Sequence, residues 1–195
     1  MLGGAFAPAL ADAQRGEERA FATLWRDVNP VVVRYLRVTA PGVADDLASE
    51  TWLQVVRDLA RFEGDERAFR GWVLRIARNR AIDWSRAQAR RPVLPVELDS
   101  LADLPATDDT AALALESLTT ATALDLIRSL PAAEAEVVTL RVIAGLDVGA
   151  IAALVGKRPG AVRVATHRGL RRLAEALAKA EPTAKTPARV TRRSR

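Results

Sequence analysis

The feature that most restricts the fold is a helical repeat of mostly apolar side chains in the N-terminal half. Between Val43 and Phe62 these side chains recur at steps of three and four residues, at Ala44, Leu47, Ala48, Thr51, Trp52, Val55, Val56 and Leu59. Such spacing places them on one face of an α-helix. Runs of alternating β-branched residues, which are typical of strands, are scarce apart from the short 31–33 run. The sequence therefore predicts an all-α fold.

A second long helix is predicted from about residue 68 to residue 90, and it is strongly basic. Between Asp65 and Arg91 the chain has eight arginines against three acids. At about 100° per residue, one arc of this helix is predicted to be buried and contains Phe69, Trp72, Val73, Ile76, Ala77 and Trp84. Arg75, Asn79 and Arg86 lie together on another side. Cations that hold a phosphate backbone, beside an amide that can pair with an unstacked base, fit single-stranded DNA.

Signals for the start and end of helices follow one another closely in the C-terminal half. Pro131 fits the first turn of one helix, and Gly145 fits its end. Asp147 is placed to cap a second helix that Gly156 closes, and Pro159 begins a third. Two short helices joined by a tight turn that contains glycine predict a helix-turn-helix, whose second helix enters the major groove of DNA.

The net charge of +5 is unevenly distributed along the chain. Residues 1–91 carry a net charge of +3 and residues 127–195 a net charge of +9, whereas residues 92–126 carry seven acids and no base. Two basic blocks indicate two modules that face nucleic acid, and the acidic segment between them indicates a connector with another task.

Composition divides the chain at the same places. Prolines and acids without a helical period mark a linker after Arg91, and a basic tail with almost no apolar residue follows Glu181. The predicted parts are a disordered N-terminus (1–13), a first helical module (14–91), a flexible acidic linker (92–112), a second helical module (113–180) and a disordered basic tail (181–195).

The supply of reactive side chains excludes several kinds of site. The chain has no cysteine and a single histidine, His167, so it lacks a disulfide, an iron–sulfur cluster and a thiolate zinc site. A Ser-His-Asp triad away from His167 is excluded as well. Asp45 and Asp46 are the nearest approach to a catalytic dyad, and no base or further ligand accompanies them. We therefore predict that the chain is not an enzyme and uses no cofactor, no metal and no small-molecule substrate.

The apolar segments are too short for a membrane. No run reaches the roughly 18 apolar residues that a membrane-spanning helix needs. The apolar start of the chain lacks the positive charge of a secretory signal and is interrupted by Pro8. We expect a cytoplasmic protein that has no membrane partner.

Two segments resemble a known family. DDLASETWLQVVRDLARF, followed by FRGWVLRIARNRAIDWSRAQARR, resembles region 2 of bacterial RNA polymerase sigma factors, in particular the extracytoplasmic-function (ECF) group of the sigma-70 family. LPAAEAEVVTLRVIAGLDVGAIAALVGKRPGAVRVATHRGLRRL is similar to region 4 of the same proteins. Together these segments lie within residues 15–177 and follow the order of the family.

The resemblance implies a transcription initiation factor that binds the polymerase core and reads a promoter. It implies contact with the β′ clamp helices through Asp46, Glu50, Gln54 and Arg57, while region 4 contacts the β flap. For the single-stranded −10 element it implies Arg75, Arg78, Asn79, Arg86 and Arg90. For the duplex −35 element it implies Arg158, Arg163, His167, Arg168, Arg171 and Arg172. The acidic linker would run toward the active centre of the polymerase, and an anti-sigma factor is the expected regulatory partner.

Two other functions are compatible with the residues taken alone. A stand-alone helix-turn-helix regulator would bind a palindromic duplex tightly without polymerase, whereas a sigma factor would bind duplex weakly until core polymerase is present. A helical protein that binds only other proteins fits the basic blocks poorly. For the acidic outer face of the helix near residues 44–59, an ordinary solvated surface is the simpler alternative.

Overall fold

The computed structural model of the protein describes residues 1–90 and 112–180, and within these ranges it contains no strand. Its α-helices are α1 (Phe6–Gln14), α2 (Glu18–Thr39), α3 (Ala44–Asp58), α4 (Glu66–Arg90), α5 (Ala112–Arg128), α6 (Ala132–Val138), α7 (Val148–Val155) and α8 (Pro159–Ala180). A 3-10 turn follows α3 and one π-helical turn, at 139–143, continues α6. The all-α prediction is confirmed.

Most of the predicted linker and the whole predicted tail lie outside the described residues. The predicted linker, 92–112, lies outside the described residues except for Ala112, which begins α5, and the tail, 181–195, lies outside them entirely. None of the helices in the described ranges is long and apolar enough to cross a membrane.

Helix α1 contradicts the prediction that residues 1–13 are disordered. Phe6, Leu10 and Ala13 are spaced so that they share one helical face, and this face is buried on the bundle formed by α2, α3 and α4. The ring of Phe6 lies 5.6 Å from the ring of Phe69 in α4. The burial of these apolar groups stabilises a segment that is too short to hold a helical form by itself.

The N-terminal half is a bundle in which α2, α3 and α4 enclose a common apolar core. The 31–33 run, which has strand-like composition, lies inside α2, where Val32 is fully buried. The indole N–H of Trp52 in α3 donates a hydrogen bond of 2.9 Å to the Asn29 side chain in α2. A nearly buried ion pair crosses the bundle: Arg70 in α4 lies 2.9 Å from Asp27 in α2, and both side chains are almost inaccessible to solvent.

The C-terminal half has the helix-turn-helix geometry that the sequence predicts. Asp147 caps α7 by accepting a hydrogen bond of 2.9 Å from the backbone N–H of Ala150. Gly156 closes α7 with a φ of +67°, a conformation that favours glycine. Pro159 begins α8 as expected. Pro131 differs from the prediction by one position, because it is the N-cap of α6 and not part of its first turn.

Helix α8 crosses α6 at Gly169, where there is no room for a side chain. A Cβ at this position would lie 2.6 Å from a methyl carbon of Val138 and 3.5 Å from Leu130. Val138 is itself buried, and its β-branched side chain has little rotational freedom. The glycine therefore permits the close approach of the two helices.

Gly169→Ala should lower the free energy of unfolding by about 1 kcal/mol, because the cost of overpacking exceeds the gain in helix propensity. Urea unfolding followed by circular dichroism measures this change. Gly160→Ala is the matched control, since it lies in the same helix with no atom near its Cβ position, and it should leave stability unchanged or slightly raised. An equal effect of the two substitutions would contradict the proposed crowding.

The two halves of the described chain pack against each other. Val38 in α2 belongs to the same apolar cluster as residues of the C-terminal half, namely Leu124, Ile127, Leu130, Ala135 and Val138. Helix α2 contacts α5 and α6, and α4 contacts α7. The helix that the sequence assigns to single-stranded DNA therefore lies beside the helix-turn-helix.

Candidate protein and nucleic-acid interfaces

The outer face of α3 combines carboxylates with exposed apolar groups. Its inner face is buried through residues such as Leu47 and Val55, which leaves Asp46 and Glu50 on the solvent side. Between these acids and the end of the helix, Leu53 is 64% exposed. Val56, three residues farther along, is 57% exposed, so the two side chains form a small exposed apolar surface beside the charged groups.

Arg80 of α4 contacts two of the four side chains that the family resemblance implies for polymerase binding. Its guanidinium donates a hydrogen bond of 2.8 Å to the Gln54 side chain and lies 3.9 Å from the Glu50 carboxylate. Arg57 instead donates a hydrogen bond to the backbone of its own helix. The structure therefore groups Glu50 with Gln54, while Asp46 stands on the first turn of α3 and Arg57 on the last.

Sequence reasoning missed Arg80, although its position carried a signal. It follows Ile76 by four residues and Ala77 by three, so helical spacing turns it toward the buried arc of α4. An arginine in that register needs a polar partner from a neighbouring element. Gln54 and Glu50 supply this partner from α3.

The basic face of α4 presents most of the predicted single-strand contacts to solvent. Arg75, Asn79, Arg86 and Arg90 are all exposed, and their spacing puts them on one side of the helix. Arg86 lies 3.9 Å from Asp83 in an exposed pair, which is a weak interaction in water. The exposed cations could follow a phosphate backbone, and the amide of Asn79 could pair with a base.

Arg78 departs from this pattern. Its side chain is only 21% exposed, and its Nε donates a hydrogen bond of 2.7 Å to the Glu136 carboxylate in α6. The structure thus separates Arg78 from the four exposed residues of the face.

The tryptophans of α4 are structural, as their spacing predicts. Trp72 and Trp84 are partly buried and pack against the core of the N-terminal half. The ring of Trp72 stacks on the ring of Phe62, with 5.0 Å between their centres.

Helix α8 exposes the predicted duplex-reading residues along one side. Arg158 lies immediately before α8, and Arg163, His167 and Arg168 are exposed in its N-terminal half, where the surface at Gly160 is open. The buried side of the helix includes Val162 and Gly169.

Two arginines farther along α8 take part in ion pairs. Arg171 lies 3.5 Å from Glu175 on the same helix, and Arg172 lies 3.2 Å from Glu134 in α6. Both arginines remain more than half exposed, so the pairs leave their outer N–H groups accessible.

The acid that caps α7 keeps its charge. The backbone N–H of Ala150 lowers the pKa of Asp147, and the positive charges of Arg67 and Arg141 act in the same direction.

No group of three or more His, Asp or Glu side chains that could hold a metal ion occurs in residues 1–90 and 112–180.

Comparison with known proteins agrees with this arrangement of two modules. The sigma-70 region 2 family matches residues 20–91, which contain most of α2 and all of α3 and α4. The sigma-70 region 4 family matches residues 121–173, which contain the helix-turn-helix. The first matched segment therefore includes the whole of α4, and the second includes most of α8.

Relatives of known type cover most of the chain. SigD of Mycobacterium tuberculosis, an ECF RNA polymerase sigma factor, is 34% identical over 171 residues that make up 84% of this chain and 80% of SigD. BldN of Streptomyces coelicolor, also an ECF sigma factor, is 35% identical over 168 residues, 85% of this chain and 63% of BldN. This chain therefore spans less than two thirds of the length of BldN but most of SigD.

A solved structure shares the fold. The sigma factor RpoE of Bartonella quintana, determined in complex with the anti-sigma factor NepR, superposes with a TM-score of 0.61 at 22% identity over 81% of this chain and 96% of that one. The two family matches and the relatives together identify the protein: it belongs to the ECF group of the sigma-70 family of RNA polymerase sigma factors.

Proposed function

We propose that this sigma factor binds core RNA polymerase through α3 and directs it to promoters by reading the −10 element with α4 and the −35 element with α8. One observation carries the proposal. A single chain presents an acidic and apolar face on α3 and two separate basic faces on α4 and α8. A stand-alone regulator would need only one basic face and a surface for dimerisation.

The docking step uses the outer face of α3. Arg80 holds the Gln54 side chain by a hydrogen bond of 2.8 Å, and its positive charge lies 3.9 Å from the Glu50 carboxylate, which stays accessible to a partner. Leu53 beside it would lose its exposed apolar surface on binding. A basic helical surface, such as the β′ clamp helices that the family resemblance implies, is the complementary partner.

The −10 step uses the exposed side of α4. Arg75, Arg86 and Arg90 would bind the backbone of one strand. The Asn79 amide would accept a hydrogen bond from a base that has left the stack and donate one to it. Arg78 would join them once its contact with Glu136 is released.

The −35 step uses the N-terminal half of α8. A helix in the major groove brings its first turns to the base edges, where Arg163 and His167 lie on the exposed side. Arg158, Arg168, Arg171 and Arg172 would bind the flanking phosphates. These contacts orient the factor on the duplex and add an affinity that depends on salt.

Regulation and location follow from the same proposal. The related RpoE binds an anti-sigma factor, and we propose a partner of this type here as well. The factor would act in the cytoplasm, where polymerase works on DNA, and would supply specificity without catalysing a reaction itself.

The docking assignment can be tested by reversing one charge. Glu50→Lys should weaken binding to purified core polymerase by about tenfold, because it loses an attractive contact and places a second cation beside Arg80. Run-off transcription from genomic fragments should fall in parallel at limiting factor concentration.

Glu63→Lys is the matched control, since it makes the same change at another exposed carboxylate outside α3. It should bind core polymerase with the affinity of the parent protein. Equal affinities of parent, control and Glu50→Lys would remove Glu50 from the docking surface. Absence of any run-off product with the parent protein would contradict the proposed function as a whole.

A further inference from the structure

Glu136 of α6 connects the two halves of the protein through one carboxylate oxygen. This oxygen accepts a hydrogen bond of 2.7 Å from Arg78 Nε in α4 and one of 3.0 Å from the Tyr35 hydroxyl in α2. The Glu136 and Arg78 side chains are each 21% exposed, and Tyr35 is almost completely buried. Such a charge-assisted pair with restricted access to solvent is stronger than the exposed ion pairs of the same surface.

The two halves also approach each other at a second place along α4, nearer its N-terminal end than Arg78. Arg67, Trp72 and Arg75 of α4 face Asp147 and Leu154 of the helix-turn-helix across a cleft of about 320 Å³. The positive charge of Arg67 is one of the smaller causes that lower the pKa of Asp147, after the hydrogen bond from the backbone N–H of Ala150. Two acids of the C-terminal half, Glu136 and Asp147, thus face arginines of the helix assigned to the −10 strand.

This packed arrangement is incompatible with reading both promoter elements at once. The names of the −10 and −35 elements place them about 25 base pairs apart on the promoter. At 3.4 Å per base pair, this spacing corresponds to about 85 Å of duplex. In the structure α4 and α7 are in direct contact. The halves must therefore separate before α4 and α8 can reach their two elements.

We infer that Glu136, held by Tyr35 and Arg78, is a latch that keeps the free protein closed and withholds Arg78 from single-stranded DNA until the halves separate. A phosphate cannot bind the Nε edge of Arg78 while the Glu136 carboxylate occupies it. The carboxylate also repels a strand that approaches this part of α4. The inhibitory part of this inference rests on the proposed role of Arg78 at the −10 element, whereas the closed form itself does not.

Distance measurement tests the latch directly. The chain has no cysteine, so Ser85→Cys in α4 and Ala174→Cys in α8, both exposed, would carry a pair of spin labels on the full chain. The parent protein should give one short, narrow distance distribution. Glu136→Gln and, separately, Tyr35→Phe should each raise the ratio of long to short distances by about tenfold, because each weakens the contact between the halves.

Glu134→Gln is the matched control. Glu134 lies on the same helix as Glu136, but its ion pair with Arg172 stays within the C-terminal half. The control removes the same charge and should keep the short distance. A broad distribution in the parent protein, or unchanged distances in both Glu136→Gln and Tyr35→Phe, would overturn the latch.

Binding of a labelled single-stranded oligonucleotide of mixed sequence tests the inhibition. Glu136→Gln should bind it about tenfold more tightly than Glu134→Gln, which has the same net charge, and adding Arg78→Ala should abolish this gain. Distances that lengthen without a gain in binding would overturn the inhibitory part and the assignment of Arg78, while the closed form would stand.

Discussion

Asp27→Ala should lower the free energy of unfolding by about 3–5 kcal/mol, a large part of the roughly 5–15 kcal/mol that stabilises a domain. Asp27 lies 2.9 Å from the guanidinium of Arg70, and the two side chains are only 12% and 10% exposed. Removal of the carboxylate leaves a nearly buried cation without a partner, and one of its nitrogens, Nε, already lacks a hydrogen bond. Urea unfolding followed by tryptophan fluorescence would measure the loss.

An exposed pair in the same half provides the comparison. Asp12 pairs with Arg15 at the end of α1, where the side chains are 45% and 69% exposed. Asp12→Ala should cost less than about 1 kcal/mol, because water replaces the lost partner. Replacing both Asp27 and Arg70 by apolar residues should recover part of the stability that Asp27→Ala loses. Equal losses for the two aspartates would show that burial does not govern these pairs.

Asn79→Ala should slow the opening of a cognate promoter by up to about a hundredfold, since recognition of one unstacked base contributes roughly 1–3 kcal/mol. The Asn79 side chain is exposed on the basic side of α4. Alanine is the better helix former, so the fold should not weaken. The experiment measures strand opening by permanganate reactivity, with core polymerase bound at saturating factor concentration.

Gln88→Ala is the control that tests whether losing any exposed amide on α4 has the same effect as losing Asn79. Gln88 is an exposed amide on the same helix, and its removal should leave opening and its sequence preference as in the parent protein. Binding of core polymerase should be the same in both variants. If Asn79→Ala opens the promoter with unchanged rate and preference, Asn79 does not read a base.

Local patterns in the sequence were sufficient for most helices because the signals for a helix lie within a few residues. The repeat between residues 44 and 59 predicts α3, and the basic stretch after Asp65 predicts α4. The limits of α7 at Asp147 and Gly156 were predictable because a cap and a left-handed turn act on adjacent backbone groups. The same holds for the outward faces of α4 and α8, which follow from helical spacing.

Helix α1 shows where local reasoning fails. The helix is short, and two glycines, Gly3 and Gly4, precede it, so its own propensity gives a poor prediction. The helix forms because Phe6 and Leu10 are buried against a bundle contributed by later residues. That stabilisation arises from tertiary packing, which the local pattern does not contain.

The sequence alone determined the all-α class, the two basic modules, the helix-turn-helix and the outward faces of α4 and α8, because each depends on spacing within one helix or on charge within one segment. Only the tertiary structure decided the partners of the charged groups. Arg80 meets Gln54 across 26 residues, and Arg78 meets Glu136 across 58. Contacts over such separations depend on how helices pack, and in this structure helix packing makes Arg78, one of the predicted DNA contacts, part of a link between the two halves.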